Sequence, residues 1–212
     1  MKKFITFEGG EGTGKSTQAK LLSKSLQKIN QDNYLTREPG GTTLSEMVRE
    51  ILVNKSKANI FSDTELLLIY ASRHQHLKEK IIPALKKKTV ICDRFVHSTY
   101  SYQSKVIDLK KKLKFIHKYF AFNLIPDITI LIDLDPEEGI KRSLKIKKNE
   151  TRFESKSLNF HKNIRRNFLK LNSVDKKMFK IDGSSSKVNV HKQIIDYFNS
   201  KSFYKKKLPY II

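Results

Sequence analysis

Residues 9–16 read Gly9-Gly10-Glu11-Gly12-Thr13-Gly14-Lys15-Ser16, with Thr17 after them. The spacing fits G-x-x-x-x-G-K-[ST], a loop that wraps polyphosphate. Phosphate oxygens need several backbone N–H donors converging on one point, and glycines let the chain curl that closely. A helix opening at Lys15 adds its positive end. Lys15 then offers a point charge to the β- and γ-phosphates of a bound triphosphate, and Ser16 offers a hydroxyl to Mg²⁺. Six of the eight glycines fall at residues 9–14 and 40–41, which marks two places where backbone geometry is demanding.

Such a loop serves GTPases, ATPases and kinases alike. A guanine-reading N-K-x-D element is absent. A kinase acting on an anionic acceptor needs a second cationic site facing the first. Arginines suit it, because they stay charged and grip phosphate with two N–H groups. Arg37, Arg73 and Arg94 are the candidates, and Arg37 and Arg94 follow strand-like runs, where open parallel sheets bind ligands. Asp93 ends an apolar run and suits the acidic residue that holds Mg²⁺ or its water, unless it merely caps a helix.

The elements that must position these residues alternate. Strands are expected at Lys3–Phe7, Asn33–Thr36, Thr89–Cys92, Ile128–Leu134 and Phe179–Ile181. Helices are expected at Lys15–Ile29, from Thr43 with Glu46 in capping-box position, and at Thr64–Lys87 with Pro83 disturbing the end. Further helices are expected from Pro136, at Leu158–Leu171 and at Val188–Phe198. Lys145–Arg152 reads as a mobile loop, and Lys201–Ile212 shows no clear period. The alternation predicts one α/β domain over residues 1–212: a doubly wound parallel five-stranded sheet with helices on both faces. A small lid is expected at about 143–156 and a basic tail at about 201–212.

Composition bounds the partners. At 38% hydrophobic, 212 residues bury a substantial core. No run is long and apolar enough to cross a membrane. One cysteine, Cys92, excludes an internal disulfide and fits a reducing compartment. The N-terminus lacks the features of a signal peptide, so a cytoplasmic location is expected. The net charge of +22 is spread along the chain without a nucleic-acid-binding motif. It reads as a lysine-rich surface plus pockets for polyanionic nucleotides, and nucleic acid is not expected as a partner.

From Phe7 to about Val188 the chain resembles the thymidylate kinase family. The resemblance rests on FEGGEGTGKST (residues 7–17), REPGGT (37–42), Asp93-Arg94-Phe95 with Ser98, Tyr102 and Gln103, and Pro126-Asp127. It implies transfer of the γ-phosphate of ATP to dTMP, giving dTDP and ADP for dTTP synthesis, with Mg²⁺ as cofactor. It implies that Arg94 binds the dTMP phosphate with Arg37 nearby, that Arg73 hydrogen-bonds thymine and that Thr99 reads its edge. Tyr102 would press on the deoxyribose where a 2′-hydroxyl would crowd, with Gln103 beside it. Glu11 would contact the sugar and organise the metal site, and Glu8 and Pro39 would line the acceptor side. Gly12 stands where some members carry a catalytic arginine, so Arg152 is the expected substitute, supported by Arg142, Lys145, Lys147 and Lys148. Ile69 stands where members usually stack a phenylalanine on thymine. Ser101 replaces the usual alanine before Tyr102, and Asp182-Gly183-Ser184 carries glycine where alanine is usual on the adenine side. The family also implies a homodimer.

Overall fold

A computed structural model describes residues 3–54, 59–106, 108–146 and 152–211. Five strands, β1 (Phe4–Glu8), β2 (Asn33–Arg37), β3 (Thr89–Asp93), β4 (Ile128–Asp133) and β5 (Met178–Asp182), form one parallel sheet in the order β2-β3-β1-β4-β5. All five agree with the expected strands to within a residue or two. β1, β3 and most of β4 are buried on both faces, as the centre of a parallel sheet demands.

Successive residues feed opposite layers. Ile5, Phe7 and Ile91 pack with α1 (Lys15–Lys28) and α9 (Lys187–Ser200) on one face. Phe4, Val90 and Cys92 pack on the other with α3 (Ser62–His76), α5 (Val96–Tyr102) and α6 (Leu109–Phe120). Asp127 closes the start of β1 by accepting the Phe4 N–H at 2.8 Å. β1 leads to β2 at one edge, whereas β3 crosses over to β4 on the far side of β1. The carboxyl ends of β1 and β3 therefore form the topological switch point.

Several expectations are corrected. α2 (Thr43–Val53) is capped by Thr42, whose side chain accepts the Ser45 N–H, a cap worth about 1 kcal/mol. Glu46 accepts the Gly41 N–H at 2.8 Å instead of closing a capping box on Thr43. The single long helix is broken: α3 gives way to a π-helical turn at Leu77–Ile81 and then to α4 (Ile82–Leu85). Pro83, which lacks the N–H the ladder needs, lies just past that turn. The sequence reading placed no element between Phe95 and Asp127, where α5 and α6 stand.

α7 (Pro136–Ile146) begins at Pro136 and runs through Lys145, so that residue is helical and exposed. Lys147 and Lys148 lie outside the described residues, as does the middle of the expected lid. α8 (Leu158–Val174) follows. The tail is docked: Tyr204 and Leu208 are buried in the α1–α9 layer, and the Pro209 carbonyl accepts from Ser25 Oγ at 2.8 Å.

Candidate functional site

The glycine loop joins β1 to α1, and its shape is forced by close neighbours. Gly12 has φ 65°, and a Cβ there would lie 1.9 Å from the Gly139 carbonyl oxygen. Gly139 sits in the first turn of α7, and a Cβ on it would lie 2.4 Å from the Glu11 carbonyl. Only glycine against glycine permits that approach. Within the loop Lys15 Nζ bonds the Gly10 carbonyl and Thr13 Oγ1. Ser16 Oγ donates to Asp93 Oδ2, which brings the two expected metal ligands into contact. Asp93 Oδ1 is buried with no hydrogen-bond partner among the described residues.

Arg94 turns the chain from β3 into α5 with φ 71°, a conformation costly to a non-glycine residue and typical of functional sites. Its guanidinium lies against the loop. Nη1 donates to the Gly9 carbonyl (3.0 Å) and Ser98 Oγ (3.3 Å), and Nη2 donates to Glu11 Oε1 (2.7 Å). Tyr102 also donates to Glu11 Oε1, at 2.9 Å. Burial pushes the Tyr102 phenol well above its ordinary range, with Glu11 adding to the rise against Arg94, so the hydroxyl stays a donor. Glu8 is corrected. Its buried carboxylate accepts from Phe95 N (2.8 Å) and Ser98 Oγ (2.6 Å), so it braces the wall from behind and does not line it.

Two cavities meet here. One, with about 990 Å³ of empty space, is lined by Gly12, Gly14, Lys15, Ser16, Thr17, Arg37 and Asp93 among others. The second, with about 670 Å³, is lined by Pro39, Ile69, Arg73, Ser98, Thr99, Tyr102 and Gln103. Glu11, Glu38, Arg49 and Arg94 line both cavities and form their common wall.

Arg73 is 2% exposed. Its Nε donates to Glu38 Oε2 at 2.7 Å, and its guanidinium lies over the Tyr70 and Phe95 rings. Nη1 is buried without a partner among the described residues, a donor beside the second cavity. His76 completes the cluster on Glu38 Oε1 at 3.2 Å. Burial alone would raise the Glu38 carboxyl, but Arg73 and His76 outweigh it and hold it below the ordinary carboxylate value. Gln103 donates to Glu65 Oε1 at 2.6 Å, while its own Oε1 is buried with no partner among the described residues. Arg37 is half exposed and paired with Glu46 at the rim.

A family model described as thymidylate kinase matches residues 7–194. The chain is 43% identical over 196 residues to the thymidylate kinase of Caldanaerobacter subterraneus subsp. tengcongensis, covering 91% of this chain and 93% of that one. It is 42% identical over 192 residues to that of Onion yellows phytoplasma, covering 89% and 92%. The solved thymidylate kinase of Ehrlichia chaffeensis superposes with a TM-score of 0.73 at 33% identity, covering 93% of this chain and 98% of the other. The chain belongs to the thymidylate kinase family. It is a nucleoside monophosphate kinase, a phosphotransferase acting between ATP and dTMP.

Against that family reading, the fold brings Lys15, Ser16, Thr17, Arg37, Asp93 and Arg94 around one cavity and Ile69, Arg73, Ser98, Thr99, Tyr102 and Gln103 around the next. Two basic residues are not brought to the loop. Arg142 bonds the Gly183 carbonyl at 2.9 Å and pairs with Glu138. Arg152 pairs with Glu65 on α3 and donates to the Leu52 carbonyl at 2.7 Å, on the acceptor side. Sequence reasoning missed Arg49, Val53, Phe153 and Glu154 in the second wall. Arg49 carried a usable signal, one arginine on the helix after REPGGT. Phe153 carried none, because it lies between helices.

Proposed function

We propose that the polyphosphate of ATP lies on the glycine loop, that dTMP fills the second cavity, and that the γ-phosphate passes between them across their common wall. The observation that carries this reading is the sharing of Glu11, Glu38, Arg49 and Arg94 by the two cavities. Two phosphate groups approaching from opposite sides both reach Arg94.

Phosphoryl transfer asks for positioning and positive charge more than for covalent chemistry. The loop amides and Lys15 hold the donor. Arg94 pairs with Glu11 through Nη2; the dTMP phosphate takes over one fork of the guanidinium. Arg73 offers Nη1 to the base, and Thr99 and Gln103 offer polar atoms to its edge. Tyr102, fixed by Glu11 and packed by Phe160 and Phe168, walls the sugar against a 2′-hydroxyl. Ser16 and Asp93 fit Mg²⁺: a hydroxyl touches a carboxylate whose other oxygen is buried and unsatisfied. Mg²⁺ held there would supply positive charge to the polyphosphate. The test is ADP release with a panel of nucleoside monophosphates and nucleosides. Preference for dTMP supports the reading, and equal or absent turnover with dTMP overturns it.

Self-association and a cytoplasmic location belong to the same reading. Leu44, Met47 and Ile51 on α2, Leu67 on α3 and Phe115 and Tyr119 on α6 are large apolar residues left 49–61% exposed. They form the face by which two copies pair. Light scattering on the purified protein should give about twice 24.7 kDa. Among the described residues no helix is long and apolar enough to cross a membrane.

A further inference from the structure

A planar base in the second cavity needs a flat apolar face, and the residues along the wall differ in whether they can supply one. Ile69 lines the cavity but carries no ring. Tyr70 is next to it in sequence, yet it is 3% exposed, packed in the α3–α6 layer and bonded to His117. Among the described residues three rings line the wall: Phe95, Tyr102 and Phe153. Phe95 is fully buried, covered by the Arg73 guanidinium at 4.8 Å and met edge-on by Phe4 and His117. Tyr102 is half-buried and has the Arg94 guanidinium at 5.0 Å, but its hydroxyl is tied to Glu11 and its ring meets Phe153, Phe160 and Phe168 edge-on. Phe153 is half-buried too, and its ring is backed by the Arg152 guanidinium at 5.1 Å.

The position of Phe153 is built. Arg152 ties its segment to the end of α2 by backbone (N to the Val53 carbonyl, 3.2 Å) and by side chain (Nη1 to the Leu52 carbonyl). The Arg152–Glu65 pair ties it to α3. The Phe153 carbonyl accepts the Lys156 N–H at 3.0 Å, closing a turn. The ring packs on the cluster of Val48, Leu52 and Val53 that Ile69 also joins, and it meets Tyr102 edge-on at 5.5 Å. Glu65 thus grips the Phe153 segment with one oxygen and Gln103 with the other.

We propose that Phe153, held by the Arg152–Glu65 pair, is the ring that stacks on the base of the acceptor nucleotide. The inference rests on the second cavity being the dTMP site. It makes Phe153 a specificity-determining residue, and Arg152 a positioning residue on the acceptor side. A base stacked on an aromatic side chain gains enough that losing the ring weakens binding about tenfold.

Calorimetry with three ligands tests it. Wild-type binding of dTMP checks the underlying reading by itself. Phe153→Leu should weaken dTMP about tenfold. It should leave ATP unchanged, and deoxyribose 5-phosphate too, since that ligand keeps the sugar and phosphate but has no base. Phe153→Tyr should bind dTMP as wild type. Ile69→Phe combined with Phe153→Leu should recover most of the loss by restoring a ring across the same cluster. Phe153→Met gives the same comparison should the leucine variant melt early. Wild-type dTMP binding in Phe153→Leu, or equal losses for dTMP and deoxyribose 5-phosphate, overturns the inference while leaving the kinase reading intact.

Discussion

Arg94 Nη2 donates to Glu11 Oε1 across 2.7 Å, and that contact joins the acceptor-side arginine to the phosphate loop. Burial would lower the Arg94 pKa, but Glu11 and the neighbouring acidic groups raise it overall, so the guanidinium stays charged in its enclosed position. Removing it takes away a cation that both cavities share and that bonds the loop backbone. Arg94→Ala should lower kcat/KM for dTMP by ~3 kcal/mol. Steady-state kinetics checks this, and a variant with full activity would show that phosphate transfer does not use Arg94.

Lys15 lies inside the loop, 6% exposed. Its replacement by alanine removes the point charge for the β- and γ-phosphates and little packing. Lys15→Ala should abolish turnover while the circular dichroism spectrum and melting temperature stay near wild type. Loss of the folded state along with activity would assign the lysine a structural role instead.

Glu38 and Arg73 form a pair only 4% and 2% exposed. Breaking such a pair leaves a buried charge uncompensated, which costs about 3–5 kcal/mol. Glu38→Gln should therefore lower the urea midpoint strongly and weaken dTMP binding, because Arg73 loses the carboxylate that aims it. The Glu38 carboxyl is held below its ordinary value of 4.5, so its stabilising contribution is present at neutral pH and is lost as pH falls below that value.

Three buried histidines set a second pH window. Burial lowers His117, His161 and His191 below the ordinary imidazole value of 6.5. As pH falls through that value the unfolded chain takes up protons that the folded chain refuses, so stability falls. The melting temperature should drop between about pH 7.5 and about pH 5.5. His191→Gln, at a site bonded to Ser25, should flatten that slope. A melting temperature constant over the window would contradict the burial argument.

The sheet and the loop were legible because their signals are local. β1, β3 and β4 are short apolar runs, and the loop's glycines stand at fixed spacing before a helix. Gly139 and Gly183, the two glycines outside the motifs, also lie against this end of the sheet: one touches the Glu11 carbonyl, the other Ile132 and Asp133. α6 does carry a signal, because Leu109, Leu113 and Ile116 recur at helical spacing and pack in the Phe4 layer, but the exposed Phe115, Tyr119 and Phe120 blur that stripe. The cap of α2 moved by one residue because Thr42 and Thr43 both suit the position. Arg142 and Arg152 looked alike as lid cations; their partners, Gly183, Glu138, Glu65 and Leu52, are set by tertiary packing that no spacing reveals.

Tyr204 and Leu208 close the layer in which Leu26 and Phe198 are buried, and Asn199 clasps Leu208 through both its backbone N–H and its carbonyl. A nascent chain therefore cannot seal that side of the sheet until synthesis has passed residue 208. Until then α1 and α9 present an oily seam to solvent, a surface on which chaperones or other unfinished chains can act. A fusion partner joined at the carboxyl end would tug on the plug, so an amino-terminal tag is the safer handle for purification.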